Sequence, residues 1–346
     1  MSSAMNVDNI KGLRCFQRRA DMSIVLDAMG GDHAPLEVVK GALKAAQEGI
    51  EIVLAGPKEQ MSALCKGAKN IELLDAPDLV SMGDSPSEVL RKKPRSPIML
   101  GVQKAKEMGV PFVSAGNTGA CMAAALMIFG RIGRIKRPPI ASVFPSINGG
   151  HTLVLDVGAN VDCNSHNLLN FAVMGLAYVR AVLGVDQPTV GLLSNGEEKE
   201  KGNALTVETH QLFLDSGIPF HGNVEGFDAL SGVCDVLVTD GFAGNVLLKT
   251  AEGVTKSLLS IIQATAPKNS EDWSEDLRCV TKALSVYNPS NPEHSGAPLL
   301  GINGTCYIVH GSADANTVYG ACLMSEKLGK SGLVDKIIEG LQGIEE

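Results

Sequence analysis

The sequence is poor in aromatic residues, 4% of 346 positions with a single Trp. That excludes a stacked-aromatic platform for single-stranded nucleic acid. Basic residues are not in surplus either. Thirty Lys and Arg against 38 Asp and Glu leave a net charge of −8, which argues against nucleic acid as a partner. No apolar run approaches the roughly 18 residues that span a bilayer. The first 21 residues hold no apolar signal-peptide core, so the expected compartment is the cytoplasm. Eight cysteines stand singly, with no Cys-x-x-Cys pair. Neither a zinc cage nor a thioredoxin motif is supported, and most of them read as small buried hydrophobes. The Gly-rich loop Asp27–Pro35 has neither GxGxxG nor a Walker Lys-Ser/Thr, and GxSxG and HExxH are missing from the chain. A covalent Ser or Cys enzyme is therefore unsupported.

What is present is a hydrophobic fraction of 45%, too high for a largely disordered chain, and 38 glycines, enough for many tight βα turns. Residues 1–21, with Lys11, Arg14, Arg18 and Arg19, read as a disordered leader with Met22 as the natural start. A targeting or basic anchor segment is the alternative. From Ser23 onward, short apolar runs alternate with amphipathic stretches. The pattern predicts an α/β fold with a doubly wound, mixed sheet, because Asn148-Gly149-Gly150 signals a hairpin. Residues 22–346 are expected to form one α/β catalytic domain with a helical insertion over about 254–298, including a helical stretch from Trp273 to Ser285. Val80 to Pro97 reads as a mobile loop around a short helix, and Asn288 to Pro298 as a loop.

Five strand-to-helix loops carry polar residues where such folds bind ligands, beyond the carboxyl ends of the strands. The first packs Asp27, Gly30, Gly31, Asp32 and His33 into nine residues. Its glycines permit close backbone approach; the plainer alternative is a tight turn. The second joins Ser114, Asn117, Thr118 and Gly119 to a helix start, where N–H groups attract anions. The alternative there is that Asn117 or Thr118 is a simple N-cap. The third runs from Asp156 through Asn160 to Asp162. A Mg²⁺ site is one reading, and a hydrogen-bonded scaffold or dimer-facing loop the favoured one. The fourth is the charge run Asn195 to Asn203, either a solvated face or a place where Lys201 holds phosphate as a point charge. The fifth holds Asp240, Gly241, Gly244 and Asn245, the last a donor and acceptor or a helix cap. No loop offers a metal ligand set. Neutral donors, Gly N–H groups and one or two Lys suit an oxyanion beside a polarised carbonyl.

Taken together, these loops resemble the bacterial phosphate acyltransferase family of phospholipid synthesis (the PlsX family). DAMGGDHAP at Asp27–Pro35, SAGNTGA at Ser114–Ala120, LDVGANVDC at Leu155–Cys163, EKGN at Glu200–Asn203 and VTDGFAGNVLLKT at Val238–Thr250 match in order and at similar spacing. The resemblance spans Met22 to Leu328. It implies that acyl-[acyl-carrier-protein] and inorganic phosphate give acyl phosphate and free carrier protein, without a cofactor. It also implies a homodimer, a fold shared with phosphotransacetylases and isocitrate/isopropylmalate dehydrogenases, and a membrane glycerol-3-phosphate acyltransferase that consumes the product.

By resemblance, Lys201 and Asn245 act on phosphate and on the thioester carbonyl, and His33 is a candidate to protonate the leaving thiolate. Gly30, Gly31 and the Asn117-Thr118-Gly119 helix start are read as an anion cradle. Asp27, Asp32, Ser114, Asn160, Asp240 and Gly244 complete the expected substrate-binding set. Val254 to Thr265, with Leu258, Leu259, Ile261 and Ile262, is expected to form either a peripheral membrane tip or dimer core. Two readings compete with this one: an NAD-linked decarboxylating dehydrogenase, which would need a divalent metal and clustered Asp ligands, and a non-catalytic module that binds acyl groups or carrier protein.

Overall fold

A computed structural model describes residues 23–265 and 296–344, with Glu275, Cys279, Val280, Thr281 and Leu284 between them. The expected leader lies outside the described residues, as do most of the stretch Trp273 to Ser285 and of the loop Asn288 to Pro298.

The chain begins with β1 (Ser23–Asp27), α1 (Leu36–Gln47), β2 (Glu51–Gly56), α2 (Lys58–Leu64) and β3 (Ile71–Asp75). Then come α3 (Pro86–Lys92), α4 (Pro97–Met108), β4 (Phe112–Ser114), α5 (Thr118–Ile128), β5 (Ala141–Pro145) and β6 (His151–Leu155). After α6 (Ser165–Tyr178) follow β7 (Val190–Ser194), α7 (Ala204–Asp215), β8 (Phe220–Glu225), β9 (Val236–Val238) and α8 (Gly241–Thr265). The chain closes with β10 (Gly296–Leu299), β11 (Cys306–Val309), α9 (Ala315–Lys330) and α10 (Leu333–Gln342).

Two sheets form where one was expected. Their orders are β10-β11-β4-β1-β2-β3 and β5-β6-β9-β7-β8. Both are mixed: β5 and β6 pair antiparallel across the Asn148-Gly149-Gly150 turn, and β10 pairs antiparallel with β11. The division escapes periodicity because an apolar run reports a strand's burial and not its neighbour. In β1, β6 and β9, Ile24 to Leu26, Leu153 to Leu155 and Val236 to Val238 are all buried, so helices cover both faces and no alternation appears. Two apolar clusters, one through Ile24 and Leu155, the other through Val25 and Leu237, each run through both sheets.

Two local expectations change. Gly296 to Pro298, read as loop, belongs to β10. Pro298 is tolerated because β10 is an edge strand with one partner. The expected insertion from residue 254 begins inside α8, which runs unbroken from Gly241 to Thr265. The Val80–Pro97 segment does contain the short helix α3, capped by Ser85, and Ser96 caps α4.

Candidate active site

Strand order gathers the five loops into two groups. β11, β4 and β1 are adjacent and parallel, so the loops after Asp27 and Ser114 lie side by side with His310 and Gly311. β6, β9 and β7 are also adjacent and parallel, which brings together the loops holding Asn160, Asp240 and Lys201. Among the described residues, no hydrogen bond joins one group to the other.

In the first group, Asp27 is buried at the end of β1. Ser114 donates its hydroxyl to Asp27 Oδ2 at 2.7 Å, and the Met29 amide donates to Oδ1 at 2.9 Å. Burial pushes the Asp27 carboxyl above its usual range, against the pull of these bonds. A Cβ at Gly30 would lie 2.5 Å from the Gly116 nitrogen, so only glycine lets the two loops touch. Gly31, at φ 104°, faces the Gly311 carbonyl, which accepts the Asp32 amide at 2.7 Å. The two glycines are thus engaged in loop packing, whereas the sequence suggested an open anion cradle. Ser114→Ala removes a donor from a buried carboxylate and should cost about 1–3 kcal/mol of stability. An unchanged denaturation midpoint would contradict this.

Asn117 takes the capping alternative. Its Oδ1 accepts the Ala120 amide at 2.9 Å, and its Nδ2 faces the carbonyls of Ser81, Met82 and Asp84 at 3.4, 3.0 and 2.8 Å. Its donors therefore hold the segment before α3 and are not free for an anion. A Cβ at Gly119 would meet Pro86 at 2.9 Å, which fixes α5 against α3. Thr118, Asp32 and His33 are exposed.

In the second group, Asp156 is fully buried and forms a scaffold. It accepts the amides of Ile140, Gly158, Ala159 and Asn160, and the Asn160 side chain. These donors occupy the oxygens that the Mg²⁺ reading needed. Burial nonetheless raises the Asp156 carboxyl above its usual range. Asn160 also donates to the Pro138 carbonyl, and its own carbonyl accepts the Gly241 amide at 2.7 Å. A Cβ at Gly244 would sit 1.9 Å from the Asp156 carbonyl, so glycine is obligatory there.

The cap of α8 is Asp240, whose Oδ1 accepts the Ala243 amide at 2.8 Å. Asn245 is exposed beside Gly158, and its amide makes no hydrogen bond with a described residue. The capping alternative for Asn245 does not hold. Lys201 is likewise exposed, without an ion pair to any described residue, while its neighbours Lys199 and Glu200 pair with each other. Asn203 caps α7. Lys136 and Arg137 belong to none of the five loops that the sequence marks. They border a cleft of about 360 Å³ with Asp162, Cys163, Asn164 and Asn167. Their signal was a Lys-Arg pair before Pro138-Pro139, in a stretch that no strand-to-helix pattern marks.

The fold is an α/β fold similar to that of phosphotransacetylases. A phosphotransacetylase from Streptococcus pyogenes matches with TM-score 0.61 and 16% identity, over 89% of this chain and 94% of that one. The EutD phosphotransacetylase from Staphylococcus aureus gives 0.58 and 15%, with the same coverage. A family model described as "Fatty acid synthesis protein" matches residues 22–336. A phosphate acyltransferase from Halothermothrix orenii is 43% identical over 332 residues, 92% of this chain and 97% of the relative. One from Desulforamulus reducens is 42% identical over 334 residues, 94% and 100% respectively. The chain belongs to the phosphate acyltransferase family.

Proposed function

We propose that this protein transfers the acyl group of acyl-[acyl-carrier-protein] to inorganic phosphate, forming acyl phosphate for phosphatidic acid and phospholipid synthesis. The observation that carries the reading is a pair of unengaged polar side chains, Asn245 in the first turns of α8 after β9 and Lys201 on the loop after the adjacent strand β7. A phosphate oxygen attacks the thioester carbon, and the carbonyl oxygen becomes an oxyanion. The C–S bond then breaks, and the thiolate takes up a proton. Phosphate is a competent nucleophile near neutral pH, so the protein's task is placement and charge stabilisation. Lys201 holds phosphate, Asn245 donates to the oxyanion, and His33, exposed on the first loop, is the candidate proton donor. Acyl-carrier protein incubated with phosphate should give a product that hydroxylamine traps as hydroxamate. Carrier binding without phosphate-dependent thioester loss would favour a non-catalytic module.

The same reading assigns a homodimer built on α8. Phe242, Val246, Val254, Leu258 and Ile261 are exposed along it, while Leu247, Leu248 and Ala251 pack on the core. No helix among the described residues is long and apolar enough to cross a membrane. Leu258→Glu with Ile261→Glu should give monomers in sedimentation. A dimer that persists but no longer binds anionic vesicles would make this face a peripheral membrane contact instead.

A further inference from the structure

The cleft bordered by Lys136 and Arg137 plays no part in the chemistry above, yet it opens beside it. Asn160 ties the two loops that form it, because its side chain donates to the Pro138 carbonyl while its backbone carbonyl accepts the Gly241 amide. The cleft therefore stands at the carboxyl ends of β6 and β9, next to the start of the helix that carries Asn245. Its volume, about 360 Å³, leaves room for an oxyanion with its hydration water. Both cations are exposed, and neither makes a hydrogen bond or ion pair with a described residue. In an acidic chain of net charge −8, two adjacent cations with no ion-pair partner among the described residues form a local reversal of charge.

The remaining lining narrows the ligand. Asn164 and Asn167 cap α6 reciprocally, so their side-chain oxygens are already engaged. The Cys163 thiol is pushed up to about 12, first by burial and then by the carboxylates of Asp156 and Asp240. It stays protonated and adds no charge. Asp162 is exposed and, like the two cations, has no hydrogen-bond or ion-pair partner among the described residues. A carboxylate in a site for anions is repulsive unless the anion brings a proton that the carboxylate accepts. Hydrogen phosphate brings one at neutral pH; sulfate and a phosphodiester do not.

We propose that Lys136, Arg137 and Asp162 form a recognition site for inorganic hydrogen phosphate that discriminates against oxyanions lacking a P–OH group. The site deepens the phosphate-acyltransferase reading and rests on it for its biological sense, but phosphate binding is measurable without turnover. Arg137 and Lys136 supply the charge, Arg through a planar fork and Lys as a point charge. Asp162 accepts a hydrogen bond from the phosphate P–OH. Lys201, on the loop after β7, remains the group that acts on phosphate during attack.

The test is calorimetric titration of the full chain with inorganic phosphate, repeated with sulfate and with the phosphodiester of unacylated holo-carrier protein. Wild type should bind phosphate at least tenfold more tightly than sulfate. Lys136→Ala with Arg137→Ala should weaken phosphate binding at least tenfold and raise the phosphate KM, leaving the KM for the acyl thioester unchanged. Asp162→Ala should erase most of the preference over sulfate. If the double variant fails to fold, Lys136→Gln and Arg137→Lys singly should each show a smaller loss in the same direction. Equal phosphate affinity in a folded double variant would overturn the proposal. So would a rise in the carrier-protein KM alone, which would assign the cleft to the carrier's phosphodiester. A wild-type protein that binds phosphate through these residues yet forms no acyl phosphate would instead refute the acyltransferase reading.

Discussion

Asn245→Ala is expected to lower kcat by about 100- to 1,000-fold, the usual consequence of removing one oxyanion donor. The KM for the acyl donor should move far less, because the donor's partner develops charge only in the transition state. The structure separates this role from a structural one. Asp240, not Asn245, caps α8, and the Asn245 amide makes no hydrogen bond with a described residue. The variant should therefore unfold within about 0.5 kcal/mol of wild type, as an exposed substitution does. A lost denaturation midpoint with kcat unchanged would show the amide to be structural.

Lys201→Ala is the second large effect. A charge-assisted contact to phosphate is worth about 1.5–3 kcal/mol, which translates to roughly 10- to 100-fold in phosphate-dependent kcat/KM. Lys201→Arg keeps the charge and should recover part of that loss. The fold should not change, since Lys201 is exposed and has no ion-pair partner among the described residues. If phosphate-dependent kcat/KM stays within twofold of wild type, the charge run before Gly202 is only a solvated face.

Much of this was legible in the sequence because buried parallel strands are written as uninterrupted apolar runs, and the loops after them as Gly-rich polar clusters. β1 and the Asp27 loop, β4 and the Ser114 loop, and β9 and the Asp240 loop were all readable this way. Strand partners were not, since pairing is a long-range property, and so two sheets were read as one. Side-chain direction was not legible either. Asn117 and Asn245 look alike as loop asparagines, but only Asn117 reaches carbonyls contributed by a distant segment. Gly30 and Gly244 read as flexible or anion-friendly, whereas their neighbours, the Gly116 backbone and the Asp156 carbonyl, leave no space for a side chain. Lys136 and Arg137 lie outside any strand-to-helix loop. They become visible as a site once Asn160 has joined their loop to the one after β6.

The central claim is that phosphate itself attacks the thioester, with no acyl group ever resting on the protein. Four of the eight cysteines are in keeping with this. Burial is the first cause that pushes the thiols of Cys163, Cys234, Cys306 and Cys322 up to about 12, leaving little thiolate at neutral pH. The most direct measurement is rapid mixing of the protein with a stoichiometric amount of acyl-carrier protein in the absence of phosphate. Free carrier thiol would be followed in time, and the mass of the intact chain determined afterwards. The account predicts no burst of thiol and an unmodified chain, with thiol release beginning when phosphate is added. A burst equal to the protein concentration, together with a chain heavier by one acyl group, would contradict it.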